Sequence, residues 1–224
     1  MSKRKTAGKP RLGVESIAAT ALAIADREGF EAVSMRRVAD AMGVGTMSLY
    51  YYVKTKDDLI AAMDDALMGE VLLPSLPKPW RRAVMEIARK TSDMYAHHPW
   101  AAVAMISAPP GVNAMRHMEQ CLEALAETGL TARAKLTLLA TIDDFVYGYA
   151  LRSGAAQTVI DRALAKAQIA TGAFPRLREA FVDAGASPDS DRFERGVNAL
   201  LDAAGVVAAS ARRQRHTRKA PPNG

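Results

Sequence analysis

The sequence predicts an all-α protein with an N-terminal helix-turn-helix unit and a larger helical C-terminal domain. Three observations support this prediction. Apolar residues make up 49% of the 224 residues, and alanine is abundant whereas β-branched and aromatic residues are sparse, which favours helix over sheet. Apolar residues recur at helical spacing along most of the chain. Glycine and proline fall between these periodic stretches, where helices end.

The first helix is predicted over residues 14–28. Gly29 follows it and is suited to ending a helix, because glycine adopts a left-handed conformation without a Cβ clash. Phe30 then turns back into the core. The inward face of this helix consists of Val14, Ile17, Ala18, Ala21, Ile24 and Ala25.

Residues 34–53 form two short helices joined by a tight turn. Ser34 is a candidate N-cap for the first, since its hydroxyl can accept from a free backbone N–H. Gly43 is placed to end that helix, Val44 can fill the corner, and Thr46 can cap the next helix. The inward residues are Val38, Ala39, Met42, Leu49 and Val53. This arrangement is a helix-turn-helix.

The outward residues of the second short helix suit a nucleic-acid surface. Short hydroxyl side chains, three consecutive tyrosines and two nearby lysines can contact phosphates and base edges. Any single tyrosine could equally be part of the core, but that alternative does not explain the whole stretch. The residues are Thr46, Met47, Ser48, Tyr50, Tyr51, Tyr52, Lys54 and Lys56.

A long helix is predicted from Lys56 to about Leu73. Thr55 and Asp58 have the spacing of a capping box, with Asp in place of Glu. Pro74 and the prolines beyond it end the helix. Its inward pattern is Leu59, Ile60, Met63, Leu67 and Val71.

The C-terminal domain is predicted to be a set of amphipathic helices. Residues 80–96 form one, and a short apolar stretch covers 101–108. The next helix covers 113–128, with Met115, Met118, Leu122 and Leu125 inward and Gly129 at its end. The remaining predicted helices are 131–152, 158–170 and 191–211. The apolar surfaces of the helices over 131–152 and 191–211 are broader than one core-facing stripe needs.

A pocket for an apolar small molecule is predicted inside this domain, because flexible methionines and aromatic rings suit such a ligand. Its candidate lining residues are Met94, Trp100, Met105, Met115, Met118, Phe145 and Tyr149. For each residue taken singly, ordinary core packing is the competing interpretation.

Composition narrows the class of protein. We find no run of 18 or more apolar residues and no signal-peptide core, so a cytoplasmic protein is expected. Cys121 is the single cysteine, which excludes an intrachain disulfide. His97 and His98 are adjacent, but neighbours on a helix point apart, so we predict no metal site. No phosphate-binding loop or nucleophile–base pair indicates an enzyme or a cofactor.

The net charge of +6 is concentrated at the two ends. Residues 1–11 and residues 212–219 each carry five basic side chains and no acid, which leaves −4 for the rest. The first basic segment lies next to the helix-turn-helix and can run along phosphate or enter a minor groove. Residues 213–224 are predicted to be a disordered tail.

Residues 14–60 resemble the DNA-binding domain of the tetracycline-repressor (TetR) family. The resemblance rests on apolar, small, polar and glycine positions that match in order, although the family often has His where Tyr52 stands. The matching segments are Ala25–Phe30, Ser34–Ala39, Met42–Val44 and Ser48–Leu59.

The resemblance implies a homodimeric transcriptional repressor that binds an inverted-repeat operator and is released by a small-molecule effector. It implies that bases are read by Arg36, Thr46, Met47, Ser48 and Tyr51, whereas Tyr50, Tyr52 and Lys56 hold phosphates. Arg37 is equally suited to a surface ion pair. The implied dimer interface contains Leu139, Ile142, Val146, Val197, Leu200 and Leu201.

The predicted domains are therefore a DNA-binding domain over 12–60, linked by helix to about residue 73, and an effector-binding and dimerisation domain over 78–212. Two other functions remain open from the sequence. One is an architectural DNA-binding protein without an effector, which a footprint at one discrete palindrome would exclude. The other is an all-helical enzyme, which would require turnover of a small molecule.

Overall fold

The computed structural model describes residues 12–154, 167–183 and 191–219, and every regular element in those ranges is helical. This confirms the all-α prediction. The α-helices are α1 (Val14–Glu28), α2 (Met35–Met42), α3 (Thr46–Tyr50), α4 (Lys56–Val71), α5 (Trp80–His97), α6 (Ala101–Ala104), α7 (Val112–Ala124), α8 (Ala132–Gly154), α9 (Pro175–Asp183) and α10 (Arg192–Lys219). Short 3₁₀ turns cover Phe30–Ala32 and Ala126–Thr128.

The chain divides into two compact units, one ending at Ala126 and one beginning at Glu127. The first unit therefore includes α5 to α7 in addition to the predicted DNA-binding range of 12–60. The helices of this unit begin and end largely where local sequence predicts. The Ser34 hydroxyl accepts from the backbone N–H of Arg37, and Gly43 ends α2 in the left-handed region at φ 66°.

One predicted cap is wrong. Gly45, in extended backbone, is the N-cap of α3, and no side chain caps this helix. Thr46 is instead the first helical residue, so its hydroxyl lies within the first turn and not ahead of it. The predicted capping box of α4 is confirmed, since Thr55 accepts from the N–H of Asp58 and the Asp58 carboxylate accepts from the N–H of Thr55.

The core of the first unit joins the helix-turn-helix to the long helix. Helix α4 packs along α1, and its inward residues Leu59, Met63, Leu67 and Val71 are all buried, as predicted. Burial of such side chains is the main favourable contribution to folding. The same cluster contains Ile17, Ala21, Ile24, Val38, Ala39, Leu49 and Val53.

Polar side chains fix α7 against α4. Asp65 accepts from the backbone N–H of Asn113 at 2.6 Å, and Asn113 Nδ2 donates to the Asp65 carbonyl at 2.9 Å. Gln120 binds both backbone groups of Leu73, through its Oε1 at 3.1 Å and its Nε2 at 2.6 Å. A Cβ at Gly111 would collide with the Asp65 side chain, so this close approach requires glycine.

The predicted inward face of the 113–128 helix is partly wrong. Met115 is 63% exposed and Met118 is 43% exposed, whereas Cys121, Ala124 and Leu125 are buried. The hydrogen bonds of Asn113 and Gln120 set the rotation of α7, and this rotation turns the two methionines outward. The α-helix also ends at Ala124, and the 3₁₀ turn Ala126–Thr128 follows.

The second unit is built on α8 packed against α10. Buried side chains fill the contact, and Phe145 lies so close to Gly196 that any side chain at that position would meet its ring. The ring of Phe193 packs against Phe145 and Tyr149, with centroid distances of 5.9 Å and 5.1 Å. Glycine at position 196 therefore allows this aromatic cluster to form.

The predicted disordered tail from residue 213 is also wrong in part, because α10 continues to Lys219. Alanine, arginine and glutamine are good helix formers, and no proline occurs between Arg192 and Pro221. Residues 167–170 are helical, whereas the rest of the helix predicted over 158–170 lies outside the described residues, as do residues 1–11. None of the helices in the described ranges combines the length and the hydrophobicity that a membrane-spanning segment needs.

Candidate nucleic-acid interface

Helix α3 presents a continuous exposed surface. Met47 is 80% exposed and Tyr51 is 77% exposed, and Ser48 lies beside them in solvent, while Thr46 is half-buried. Leu49 is fully buried on the opposite side of the same short helix. Because Leu49 and Val53 anchor α3 in the core, the exposed residues are held on a fixed scaffold.

The tyrosines differ in how they are held. Tyr51 and Tyr52 pack edge to face with centroids 5.1 Å apart. Lys54 Nζ donates to the Tyr51 carbonyl at 3.3 Å and lies 5.7 Å from the centre of its ring. Lys54 is one of the two lysines that the sequence places beside the tyrosines, but the predicted division into base and phosphate contacts does not include it. Its charge is held at the edge of the exposed surface, where a phosphate would approach.

Tyr50 and Tyr52 are 38% and 37% exposed, about half as much as Tyr51. They border the surface instead of projecting from it, which suits the predicted division between base contacts and phosphate contacts. Lys56 is exposed, and its Nζ lies 5.9 Å from the centre of the Phe30 ring. The ammonium group of Lys56 is therefore positioned by a residue outside the helix-turn-helix.

The two arginines at the start of α2 have different surroundings. The Arg36 side chain is 89% exposed and has a single distant ion pair, with Asp40 at 3.9 Å. Arg37 forms a bidentate pair with Glu28, through Nε at 3.0 Å and Nη2 at 2.6 Å. The hydrogen bond from Arg37 holds the pKa of the Glu28 carboxyl below its ordinary value. Arg36 is thus the arginine free to reach DNA, and Arg37 ties α2 to α1.

The candidate pocket residues fall into three groups. Met94 and Met105 are buried in the core cluster of the first unit, and Trp100 packs against the same cluster. Met115 and Met118 are exposed. Phe145 and Tyr149 belong to the aromatic cluster of the second unit. Ordinary core packing therefore describes Met94 and Met105, and pocket lining stays a prediction for the set.

Most of the predicted dimer contacts are buried within the chain itself. Ile142 and Val146 of α8, and Val197 and Leu201 of α10, are each at most 6% exposed in the single chain. They lie in helices that pack against each other and leave little surface for a partner, so their place in the interface stays a prediction. Leu139 and Leu200 are half-buried and keep surface that a second copy could cover.

The adjacent histidines point to different partners, as their spacing predicts. His97 Nδ1 donates to the carbonyl of Asp93 at 2.7 Å, whereas His98 Nδ1 contacts Asp26 at 2.7 Å. The part of the chain that the structure describes contains no group of three or more His, Cys, Asp or Glu residues placed to hold a metal ion. The contact between His98 and Asp26 joins residues 72 positions apart, so no local pattern could have predicted it.

Two family models cover most of the chain. Residues 17–63 match the model of bacterial regulatory proteins of the tetR family. Residues 73–208 match the model of the tetracyclin repressor-like C-terminal domain. The first match ends within α4 and the second begins just after this helix.

Curated and structural relatives agree with these models. The HTH-type transcriptional repressor DrrR1 of Streptomyces coeruleorubidus is 34% identical over 91% of this chain and 81% of its own length. The crystal structure of apo ActR from Streptomyces coelicolor is 29% identical, covers 89% of this chain and 98% of its own, and has a TM-score of 0.79. ActR in complex with actinorhodin is 28% identical, covers 87% of this chain and 96% of its own, and has a TM-score of 0.72.

These matches agree with the helix-turn-helix described above, in which the core side chains are buried and the outer side of α3 is exposed. DrrR1 is named as a transcriptional repressor and not as an enzyme. The chain therefore belongs to the TetR family of bacterial regulatory proteins and is a DNA-binding transcriptional repressor.

Proposed function

We propose that the protein represses transcription by binding an inverted-repeat operator as a homodimer and that a small organic molecule releases it. The observation that carries this proposal is the α3 surface, where Met47, Ser48 and Tyr51 project from a helix whose opposite side is locked in the core. The second helix of a helix-turn-helix lies in the major groove, and its exposed side chains contact base edges.

The division of contacts follows from exposure and charge. Arg36, Thr46, Met47, Ser48 and Tyr51 are proposed to read bases. Tyr50, Tyr52 and Lys56 border that surface and are proposed to hold phosphates, and Lys54 joins them because its ammonium group is held beside Tyr51. Phosphate contacts fix the register, whereas base contacts set the sequence preference.

A dimer is proposed because an inverted-repeat operator is read by two DNA-binding domains that are related by a two-fold axis. The partner would cover the outward side of the α8–α10 pair. This side offers Leu136, which is 51% exposed, together with the half-buried Leu139 and Leu200. Dimerisation is typical of the family, and the excess apolar surface of both helices supports it here.

The effector is proposed to be an apolar small molecule. ActR has been crystallised with actinorhodin, and the methionines and aromatic rings of this chain suit a ligand of that general kind. Such a ligand releases DNA only if it binds more tightly to a conformation in which the two DNA-binding domains of the dimer do not fit the operator. The coupling is then reciprocal, so operator DNA weakens effector binding by the same factor.

The test begins with selection of bound duplexes from a random pool. A regulator of this kind enriches one palindrome, whereas an architectural protein enriches none. The selected duplex is then used to screen small molecules for release, with each hit retested for binding to the free protein. Failure to enrich any inverted repeat would contradict the proposal, and turnover of a screened molecule would favour an enzyme.

A further inference from the structure

The segment between α5 and α6 makes a polar contact with α1. His98 Nδ1 and Trp100 Nε1 both donate to Asp26 Oδ1, at 2.7 Å and 2.8 Å. One carboxylate oxygen of the DNA-binding region therefore accepts from two rings that precede α6. The His98 side chain is only 11% exposed, so its contact with Asp26 is largely shielded from solvent and more persistent than a surface pair.

Trp100 also makes an apolar contact with the same region. Its ring stacks on Phe30, with centroids 5.6 Å apart and planes 12° from parallel. Phe30 lies in the 3₁₀ turn that follows α1, and the Lys56 ammonium is 5.9 Å from the centre of its ring. A cation at this distance from an aromatic ring is attracted to it. The contacts thus run in order from Trp100 through Phe30 to Lys56.

The other nitrogen of His98 faces the last turn of α4. His98 Nε2 lies 3.4 Å from Glu70 Oε2. Only the doubly protonated ring can donate to both carboxylates, whereas a neutral ring can donate to one. The segment is consequently placed where α1, the 3₁₀ turn and the end of α4 meet.

We infer that His98 and Trp100 are positioning residues for DNA binding, which act on α1 through Asp26 and on Lys56 through Phe30. The inference rests on the proposed function, in which Lys56 holds a phosphate. Trp100 leads directly into α6, where Ala101 and Ala102 are buried. Any displacement of α6 is therefore passed to α1 by direct contact between Trp100 and Asp26.

Removal of the Trp100 ring provides the test. Trp100→Ala should weaken binding to the selected operator by about tenfold, within the range of typical couplings. It should also reduce the slope of log affinity against log salt by about one, because Lys56 loses its phosphate contact. Trp100→Phe keeps a ring on Phe30 but lacks the donor to Asp26, so it should restore the salt slope and only part of the affinity.

Trp80→Ala is the matched control. Trp80 lies at the start of α5, and we assign it no contact with the DNA-binding domain. It should leave both affinity and slope unchanged. Lys56→Ala combined with Trp100→Ala should show no further reduction in slope beyond Trp100→Ala alone. Full additivity of the two slope changes, or a parent slope in Trp100→Ala, would overturn the inference.

Two measurements distinguish a positioning role in DNA binding from a general effect on the stability of the fold. Thermal unfolding of Trp100→Phe should match that of the parent within a few degrees while its operator affinity falls. Asp26→Ala, which removes the acceptor and leaves both rings in place, should lower affinity and make Trp100→Phe neutral in its background. If the parent binds no palindrome, the proposed function fails. If the parent binds one and these variants bind like it, the positioning role fails.

Discussion

Arg37 and Glu28 form a bidentate ion pair that joins α2 to the end of α1. Two parallel N–H···O bonds add geometric specificity to the attraction of opposite charges. Arg37 directly follows Arg36 in the sequence, but the two arginines have different roles. Arg36 remains exposed for DNA, and Arg37 is held by its partner.

We predict opposite consequences for alanine at these two positions. Arg36→Ala should cost about 1–3 kcal/mol of operator binding and relax preference at one base position, with thermal stability unchanged. Arg37→Ala should leave base preference intact and lower the melting temperature slightly. Binding to a panel of single-base operator variants, together with thermal scans, measures both. Relaxed base preference in Arg37→Ala would reverse the assignment.

The Arg37 effect should depend on pH in a defined direction. Because the Glu28 pKa lies below its ordinary value of 4.5, the pair stabilises the fold above that pH and is lost as the pH falls through the lowered value. The difference in melting temperature between parent and Arg37→Ala should therefore be present at neutral pH and vanish in acid. A difference that persists at low pH would show that the effect is not electrostatic.

Base and phosphate contacts should separate in a second pair of variants. Tyr51→Phe should change preference at one position, since the exposed hydroxyl is its polar group. Lys56→Ala should weaken every sequence alike and reduce the salt slope by about one. Titrations at several salt concentrations, with operator and scrambled duplexes, measure both effects. An unchanged slope in Lys56→Ala would remove it from the phosphate contacts.

Adjacent leucines of α10 should distinguish the dimer interface from the core. Leu200 is half-buried in the single chain, whereas Leu201 is fully buried. Leu200→Glu should yield folded monomers, because an unpaired charge would be buried only in the dimer. Leu201→Glu should instead prevent stable folding. Sedimentation and circular dichroism separate the two results, and an intact Leu200→Glu dimer would place the interface elsewhere.

Asp64 should destabilise the fold at neutral pH. Burial, with a contribution from Asp65, raises the pKa of its carboxyl from 3.8 to about 6. A shift of this size corresponds to about 3 kcal/mol for a fully desolvated group, and we reduce it to about 1 kcal/mol because Asp64 is only half-buried. Asp64→Asn should therefore stabilise the protein by about 1 kcal/mol at pH 8.

The sign follows from proton linkage. The folded state binds the proton more tightly than the unfolded state, so parent stability rises as the pH falls from above 6 towards 3.8. The gain from Asp64→Asn should disappear over that interval. Asp93→Asn, at an exposed position of α5, is the matched control and should give no gain at any pH. Denaturant unfolding at pH 8 and pH 4 measures both variants.

The sequence by itself determined the features that depend on neighbouring residues. Ser34, Gly43 and the Thr55–Asp58 box mark helix boundaries through contacts made within one turn. The apolar spacing of α4 identified its most deeply buried residues, Leu59, Met63, Leu67 and Val71, because helical periodicity places them on one side. The exposed residues of α3 followed from the same periodicity.

Only the tertiary structure decided the features that depend on distant residues. Asp65 and Leu73 fix the rotation of α7, which turned Met115 and Met118 outward against their apolar character. An apolar stripe on α10 is equally compatible with a partner in the same chain or in another, because hydrophobic burial has no direction. The pairing of Asp26 with Trp100 joins residues 74 positions apart, and such contacts arise only when the whole chain has packed.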